Sequence, residues 1–223
     1  VAARLMLEFV DYPAKGQHKA SIIWLHGLGD SGNGFLPIAS ELNLPDELGA
    51  HFIFPHAPEQ PVTINGGMVM RAWYDIKSFD LDKRADEQGV RDSSAQVEAL
   101  IQAQLDKGIP ANRIILAGFS QGGVIALHLA PRLTVKLAGV MALSTYMCVP
   151  EKLSAEAQQS ELTIFMAHGS ADPVVPMFAG EHAFNTLQQQ GYEVSWQDYP
   201  MEHQVCLDEL KAIRAWLITR LSD

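Results

Sequence analysis

Ile114-Ile-Leu-Ala-Gly-Phe-Ser-Gln-Gly-Gly123 is the stretch on which the fold turns. Ile114 to Ala117 is a continuous apolar run, the pattern of a strand buried on both faces. An apolar helical pattern starts at Gln121, so Gly118-Phe-Ser-Gln-Gly122 spells G-x-S-x-G in strand–turn–helix order. A turn this sharp needs small residues at both flanks, because a side chain there would strike the neighbouring strand or helix. The turn lifts the Ser120 hydroxyl above the sheet edge, and the next helix aims its N-terminal N–H groups at the same spot. Ser120 is the candidate nucleophile. The plainer reading is a tight turn with a helix-capping serine.

Outward from this motif, short apolar runs alternate with longer helical patterns. Strands are expected at Leu5 to Val10, Ser21 to Leu25, His51 to Phe54, Ile114 to Gly118, Leu137 to Leu143, Leu162 to Ala167 and Glu193 to Tyr199. Helices are expected at Gly34 to Leu48, Gly89 to Lys107, Gln121 to Leu133, Met177 to Gln190 and Val205 to Leu221. In the last, Cys206, Leu210, Ile213, Leu217 and Leu221 recur at helical spacing. The alternation implies an α/β fold, one domain over residues 1–223, whose mostly parallel sheet carries helices on both faces. Ligands of such sheets bind beyond the carboxyl ends of the strands, so the residues just after each strand matter most. Pro55 to Asp75 is the longest irregular segment.

A serine needs a general base, and the base needs an orienting acid. On folds with this turn the chain order is Ser, acid, His. His203 lies between the last strand and the last helix, where it reaches the carboxyl edge of the sheet; His182 falls in a helical pattern and reads as solvated. Asp172 follows the Leu162 to Ala167 strand in a turn stiffened by Pro173-Val-Val-Pro176. Asp198 and Glu202 compete, but both adjoin His203 in sequence and would be awkward orienters. His168 precedes the acid and reads as structural.

The second strand runs into His26-Gly-Leu-Gly-Asp-Ser-Gly32. Taken alone, Gly27, Gly29 and Gly32 match the dinucleotide fingerprint, which makes a nicotinamide or flavin enzyme the distant rival. That rival lacks an acid at the end of the next strand, where His56-Ala-Pro58 stands, and it leaves Ser120, Asp172 and His203 unexplained. In the hydrolase reading, the backbone N–H groups of Leu28 and Gln121 form the oxyanion hole. His26 and Asp30 then brace the loop.

With 223 residues, 48% of them hydrophobic and 19% charged, the chain is large enough to bury a full core. A net charge of -10 and the lack of any Lys/Arg cluster argue against a nucleic-acid partner and against anionic lipid. No apolar run reaches the roughly 18 residues of a membrane span, no signal peptide is evident, and Cys148 and Cys206 suit a reduced compartment. No stable membrane insertion and a cytoplasmic location are therefore expected. The eight histidines show no metal-ligand spacing, so neither metal nor cofactor is expected.

His26-Gly-Leu-Gly-Asp30, Pro55-His-Ala-Pro58, Pro61-Val-Thr-Ile-Asn65, Trp73-Tyr-Asp75, Gly118-Phe-Ser-Gln-Gly-Gly123, Asp172-Pro-Val-Val-Pro176 and Met201-Glu-His203 occur in this order. Together they resemble the acyl-protein thioesterase/lysophospholipase-like carboxylesterases, in bacterial-type form, from about Leu5 to the C-terminus. The resemblance implies an α/β-hydrolase fold without a large cap domain, a Ser120–Asp172–His203 triad, and oxyanion donors at Leu28 and Gln121. It also implies an acyl channel past residues 65–75, with Met68, Met70, Trp73, Tyr146 and Val174 as substrate-binding candidates. Flexible methionines would tolerate several acyl lengths, while Gly66-Gly67 and Arg71 make the segment too polar for a rigid lipid tunnel. The expected activity is hydrolysis of small short- to medium-chain acyl esters through an acyl-enzyme. The alternative is an acyl-protein thioesterase or lysophospholipase with the same triad. A homodimer is left open, since a partner subunit could cover a shallow apolar rim.

Overall fold

Adjacent residues along each central strand face opposite cores, and that alternation builds the molecule. Ile23 and Leu25 join Leu116, Val140, Ala142, Ile164 and Met166 in one buried cluster. Their neighbours Ile22 and Trp24 join Ile115, Ala117, Met141, Leu143, Phe165 and Ala167 in another. The strands are apolar on both faces because both faces are covered.

The computed structural model describes residues 6–223. In chain order the strands are β1 (Phe9–Tyr12), β2 (Ala20–Leu25), β3 (Ala50–Pro55), β4 (Glu59–Val62), β5 (Met68–Arg71), β6 (Ile114–Phe119), β7 (Gly139–Leu143), β8 (Thr163–Gly169) and β9 (Glu193–Tyr199). The helices are α1 (Gly32–Leu42), α2 (Leu81–Arg84), α3 (Glu87–Asp106), α4 (Gln121–Leu129), α5 (Leu153–Glu156), α6 (Met177–Gln189) and α7 (Leu207–Leu221). Seven strands form one sheet in the order β1-β3-β2-β6-β7-β8-β9. All neighbours pair parallel except β1, which runs antiparallel to β3 at the edge.

Residues of α3, α4 and α6 fill the first cluster; residues of α1 and α7 fill the second. Helix α4 is buried along its whole length, with α3 outside it, which explains why its sequence is apolar all round. The architecture is that of an α/β-hydrolase. No helix among the described residues is long and apolar enough to cross a membrane.

Three expectations are corrected. The first strand begins at Phe9 and not near Leu5, which lies outside the described residues. Helix α1 stops at Leu42 because Asn43 adopts a left-handed conformation (φ 43°); Asp46–Leu48 is a separate 3-10 turn. The segment expected to be irregular contains the β4–β5 hairpin, pairing Glu59 with Arg71 and Val62 with Met68. Pro61 and the polar ends of these four-residue strands obscure the alternation that would have announced them.

Candidate active site

Ser120 sits at φ 56° and ψ -119°, in a region that non-glycine residues rarely occupy. The surroundings hold it there. Its N–H donates to the Leu143 carbonyl at 2.9 Å, and its own carbonyl accepts from Thr145 Oγ1 at 2.7 Å. A Cβ at Gly118 would lie 2.2 Å from the Gly122 carbonyl carbon, and one at Gly122 would lie 2.3 Å from the Leu25 oxygen. The glycines thus let β6 and α4 meet at a turn too close for side chains.

The loop after β8 and the loop after β9 bring two further groups to this turn. His203 Nε2 lies 3.0 Å from Ser120 Oγ, and His203 Nδ1 lies 2.7 Å from Asp172 Oδ2. The other carboxylate oxygen, Oδ1, accepts the N–H groups of Val174 and Val175, both at 2.8 Å. Burial pushes the Asp172 pKa upward, but the hydrogen bond from His203 and those from the two backbone amides outweigh it. The net value falls below that of an ordinary aspartate. An ionised carboxylate only accepts hydrogen bonds, so the proton of His203 belongs on Nδ1. That leaves Nε2 free to accept from the Ser120 hydroxyl.

The three residues read from the sequence therefore converge in one hydrogen-bonded line. His168, read from the sequence as structural, lies beside it: buried, with Nε2 at 2.7 Å from the Val175 carbonyl and 3.6 Å from Asp172 Oδ2. Burial lowers its pKa, so it stands as a neutral ring that packs against Trp196 and supports the acid's loop.

The His26–Asp30 loop lies against the serine: a Cβ at Gly27 would be 3.4 Å from Ser120 Cβ. Ala57 N–H donates to His26 Nε2 at 3.0 Å, so Nδ1 carries the proton and donates to the Gly27 carbonyl at 2.7 Å. Asp30 Oδ1 accepts Ser31 N–H at 2.8 Å, a brace at the start of α1. Among the described residues no acceptor engages the backbone N–H of Leu28 or that of Gln121, the first residue of α4. Gly32 answers to packing, since its Cβ would fall 2.1 Å from the Phe54 carbonyl oxygen. Neither it nor its loop requires a dinucleotide.

The Gln121 side chain was not legible in the sequence. It is buried, accepts Trp73 N–H at 2.9 Å through Oε1 and donates to the Tyr74 carbonyl at 3.0 Å through Nε2. Only the fold brings residues 73 and 121 together, so spacing carries no signal of it. Trp73, expected at the acyl channel, is 1% exposed and donates from Nε1 to the His26 carbonyl at 2.8 Å. It braces the loop from behind. Met68 is 64% exposed on the hairpin, whereas Met70 is half-buried, its sulfur 3.8 Å from where a Gly29 Cβ would be.

A cavity of about 620 Å³ opens on the α4/α6 side, walled among others by Leu81, Ala85, Tyr146, Val149 and Phe178. Tyr146 shares a hydrogen bond of 2.7 Å with the buried Tyr74 hydroxyl, and Arg84 lies over its ring at 5.8 Å. Arg84 also donates to the Val174 carbonyl at 2.9 Å, so Val174, half exposed, stands between the acid's loop and α2. Of the residues expected at the acyl channel, Tyr146 lines this cavity and Met68, Met70, Trp73 and Val174 do not. Among the described residues no group of three or more His, Cys, Asp or Glu side chains is placed to hold a metal ion.

The Phospholipase/Carboxylesterase family matches residues 8–221. Acyl-protein thioesterase 1 of Neurospora crassa is 42% identical over 220 residues, covering 94% of this chain and 90% of that protein. Among solved structures, Arabidopsis thaliana SOBER1 superposes with a TM-score of 0.86 at 31% identity, over 91% of this chain and 99% of that one. Acyl-protein thioesterase 2 of Zea mays gives a TM-score of 0.87 at 28% identity, over 96% and 99%.

Proposed function

Because the chain belongs to the phospholipase/carboxylesterase family, we propose that it is a serine hydrolase that cleaves acyl thioesters and oxygen esters at Ser120. The observation that carries this reading is the line from Asp172 through His203 to Ser120, closed by bonds of 2.7 and 3.0 Å. Ser120 Oγ attacks the acyl carbon as its proton passes to His203 Nε2, and Asp172 stabilises the imidazolium. The Leu28 and Gln121 N–H groups receive the charge that develops on the carbonyl oxygen. Each such donor contributes roughly 2.7–4 kcal/mol in the transition state. The C–S or C–O bond then breaks, and the leaving group takes the proton from Nε2. Water gives its proton to the same nitrogen and attacks the acyl-enzyme, releasing the acid and restoring Ser120.

The acyl chain is assigned to the cavity beyond Tyr146, whose volume of about 620 Å³ falls in the usual range for small-molecule sites. Sequence reasoning placed short- to medium-chain oxygen esters first, and an acyl-protein thioesterase or lysophospholipase activity second. The likeness to acyl-protein thioesterases at 35–42% identity reverses that order. A pair of substrates with one acyl group, octanoyl thioester and octanoyl oxygen ester, tests it with Ser120→Ala as the blank. Ser120-dependent turnover with kcat/KM higher for the thioester is expected. Turnover of the oxygen ester alone would return the first reading, and turnover independent of Ser120 would overturn the mechanism.

A further inference from the structure

The proposed mechanism assigns the α4/α6 side of the sheet to the acyl chain and leaves open where the other half of the substrate lies. The leaving group must collect its proton at His203 Nε2 and depart past that ring. Tyr146, Val175, Met70 and Leu28 all belong to the core on the α4/α6 side. Phe119, Phe35, Val205, Cys206 and Leu210 belong to the opposite core, between the sheet and helices α1 and α7. The serine turn is the seam between the two.

On that second side a groove of about 350 Å³ runs between α1 and the start of α7, lined by Phe35, Pro37, Ile38, Val205, Leu207 and Leu210. Aromatic contacts join its wall to the reacting residues. The Phe119 ring lies 4.8 Å from the His203 ring, and the Phe35 ring lies 5.5 Å from Phe119. Val205 follows His203 by two residues, and Leu207, the first residue of α7, leaves its side chain 66% exposed at the rim. The carboxylate in the lining is Glu41, and no basic side chain lines the groove.

We infer that this α1–α7 groove is a leaving-group subsite that accepts an apolar alcohol or thiol and rejects an anionic one. The inference rests on the serine-hydrolase reading. Apolar walls favour a hydrocarbon or aromatic body, since each buried methylene contributes to binding. Glu41 and a net charge of -10 disfavour a carboxylate or phosphate on the departing half.

Three butyrate esters separate the possibilities: ethyl, 2-phenylethyl, and 2-(4-carboxyphenyl)ethyl. All give the same butyryl-enzyme, so differences in kcat/KM report only the steps in which the leaving group is present. The wild-type enzyme should favour 2-phenylethyl over ethyl by about tenfold, the scale expected when an aromatic ring leaves water. The carboxylate should erase most of that preference. Leu207→Ser should shrink the phenylethyl-to-ethyl ratio severalfold, and Glu41→Gln should improve the carboxylate substrate relative to its neutral analogue. Ratios identical in wild type and Leu207→Ser, or a preference for the carboxylate ester, would overturn the subsite while leaving the nucleophile intact. No Ser120-dependent turnover of any ester would bring down the nucleophile and the subsite together.

Discussion

Asp172 shows how much one side chain can hold in place. One carboxylate oxygen takes two backbone amides and the other takes His203, so the residue fixes both its own loop and the imidazole tautomer. Asp172→Asn keeps the shape but lets the amide donate, which favours the proton on Nε2 and removes the acceptor Ser120 needs. The expected loss in kcat is about 10⁴-fold with little change in the unfolding midpoint. Activity within tenfold of wild type would contradict the assigned role. Ser120, Asp172 and His203 were readable because each follows a strand in a fixed chain order. The side-chain partners of Gln121 and His168 were not, because Trp73 with Tyr74 and Val175 with Trp196 are brought there by tertiary contacts. Trp73 was misplaced for the same reason: an aromatic near a channel loop reads alike whether it lines the channel or braces it.

At the scale of the element, α7 begins four residues after His203, so its start governs how that loop is held. Glu209 is fully buried there; one oxygen accepts the Cys206 N–H at 3.3 Å, and the other has no partner among the described residues. Burial, opposed by that amide bond, raises its pKa to about 7, and Tyr199, Cys206 and Asp208 are the neighbouring titratable groups. The folded state thus binds a proton that the unfolded chain releases near 4.5. The contribution is complete below that ordinary value and is lost as pH rises through about 7. Glu209→Gln removes the titration, so its unfolding midpoint should gain on wild type from pH 5 to about pH 7 and level off toward pH 8. A gap that stays constant across that range would rule out the buried charge. Neither the burial of Glu209 nor the β4–β5 hairpin could be read from local pattern, the one because capping glutamates are usually solvated and the other because Pro61 interrupts it.

For the whole molecule, the strand alternation that defines two cores also divides the proposed substrate: acyl half on the α4/α6 side, departing half on the α1/α7 side. The parallel sheet and its helices were legible because continuous apolar strands separated by amphipathic stretches admit few other architectures. A strand near the N-terminus was legible too, but not its antiparallel place at the sheet edge; the short α2 and the cavity beside it were not legible, since they depend on how the segments after β3 fold back. The account as a whole stands on Ser120 being the one activated hydroxyl in the chain. Intact-protein mass spectrometry after limiting exposure to a fluorophosphonate, followed by peptide mapping, measures that directly. The predicted result is a single adduct per chain on Ser120, with ester and thioester hydrolysis lost in proportion to labelling. An adduct on another residue, or full activity in the labelled protein, would contradict it.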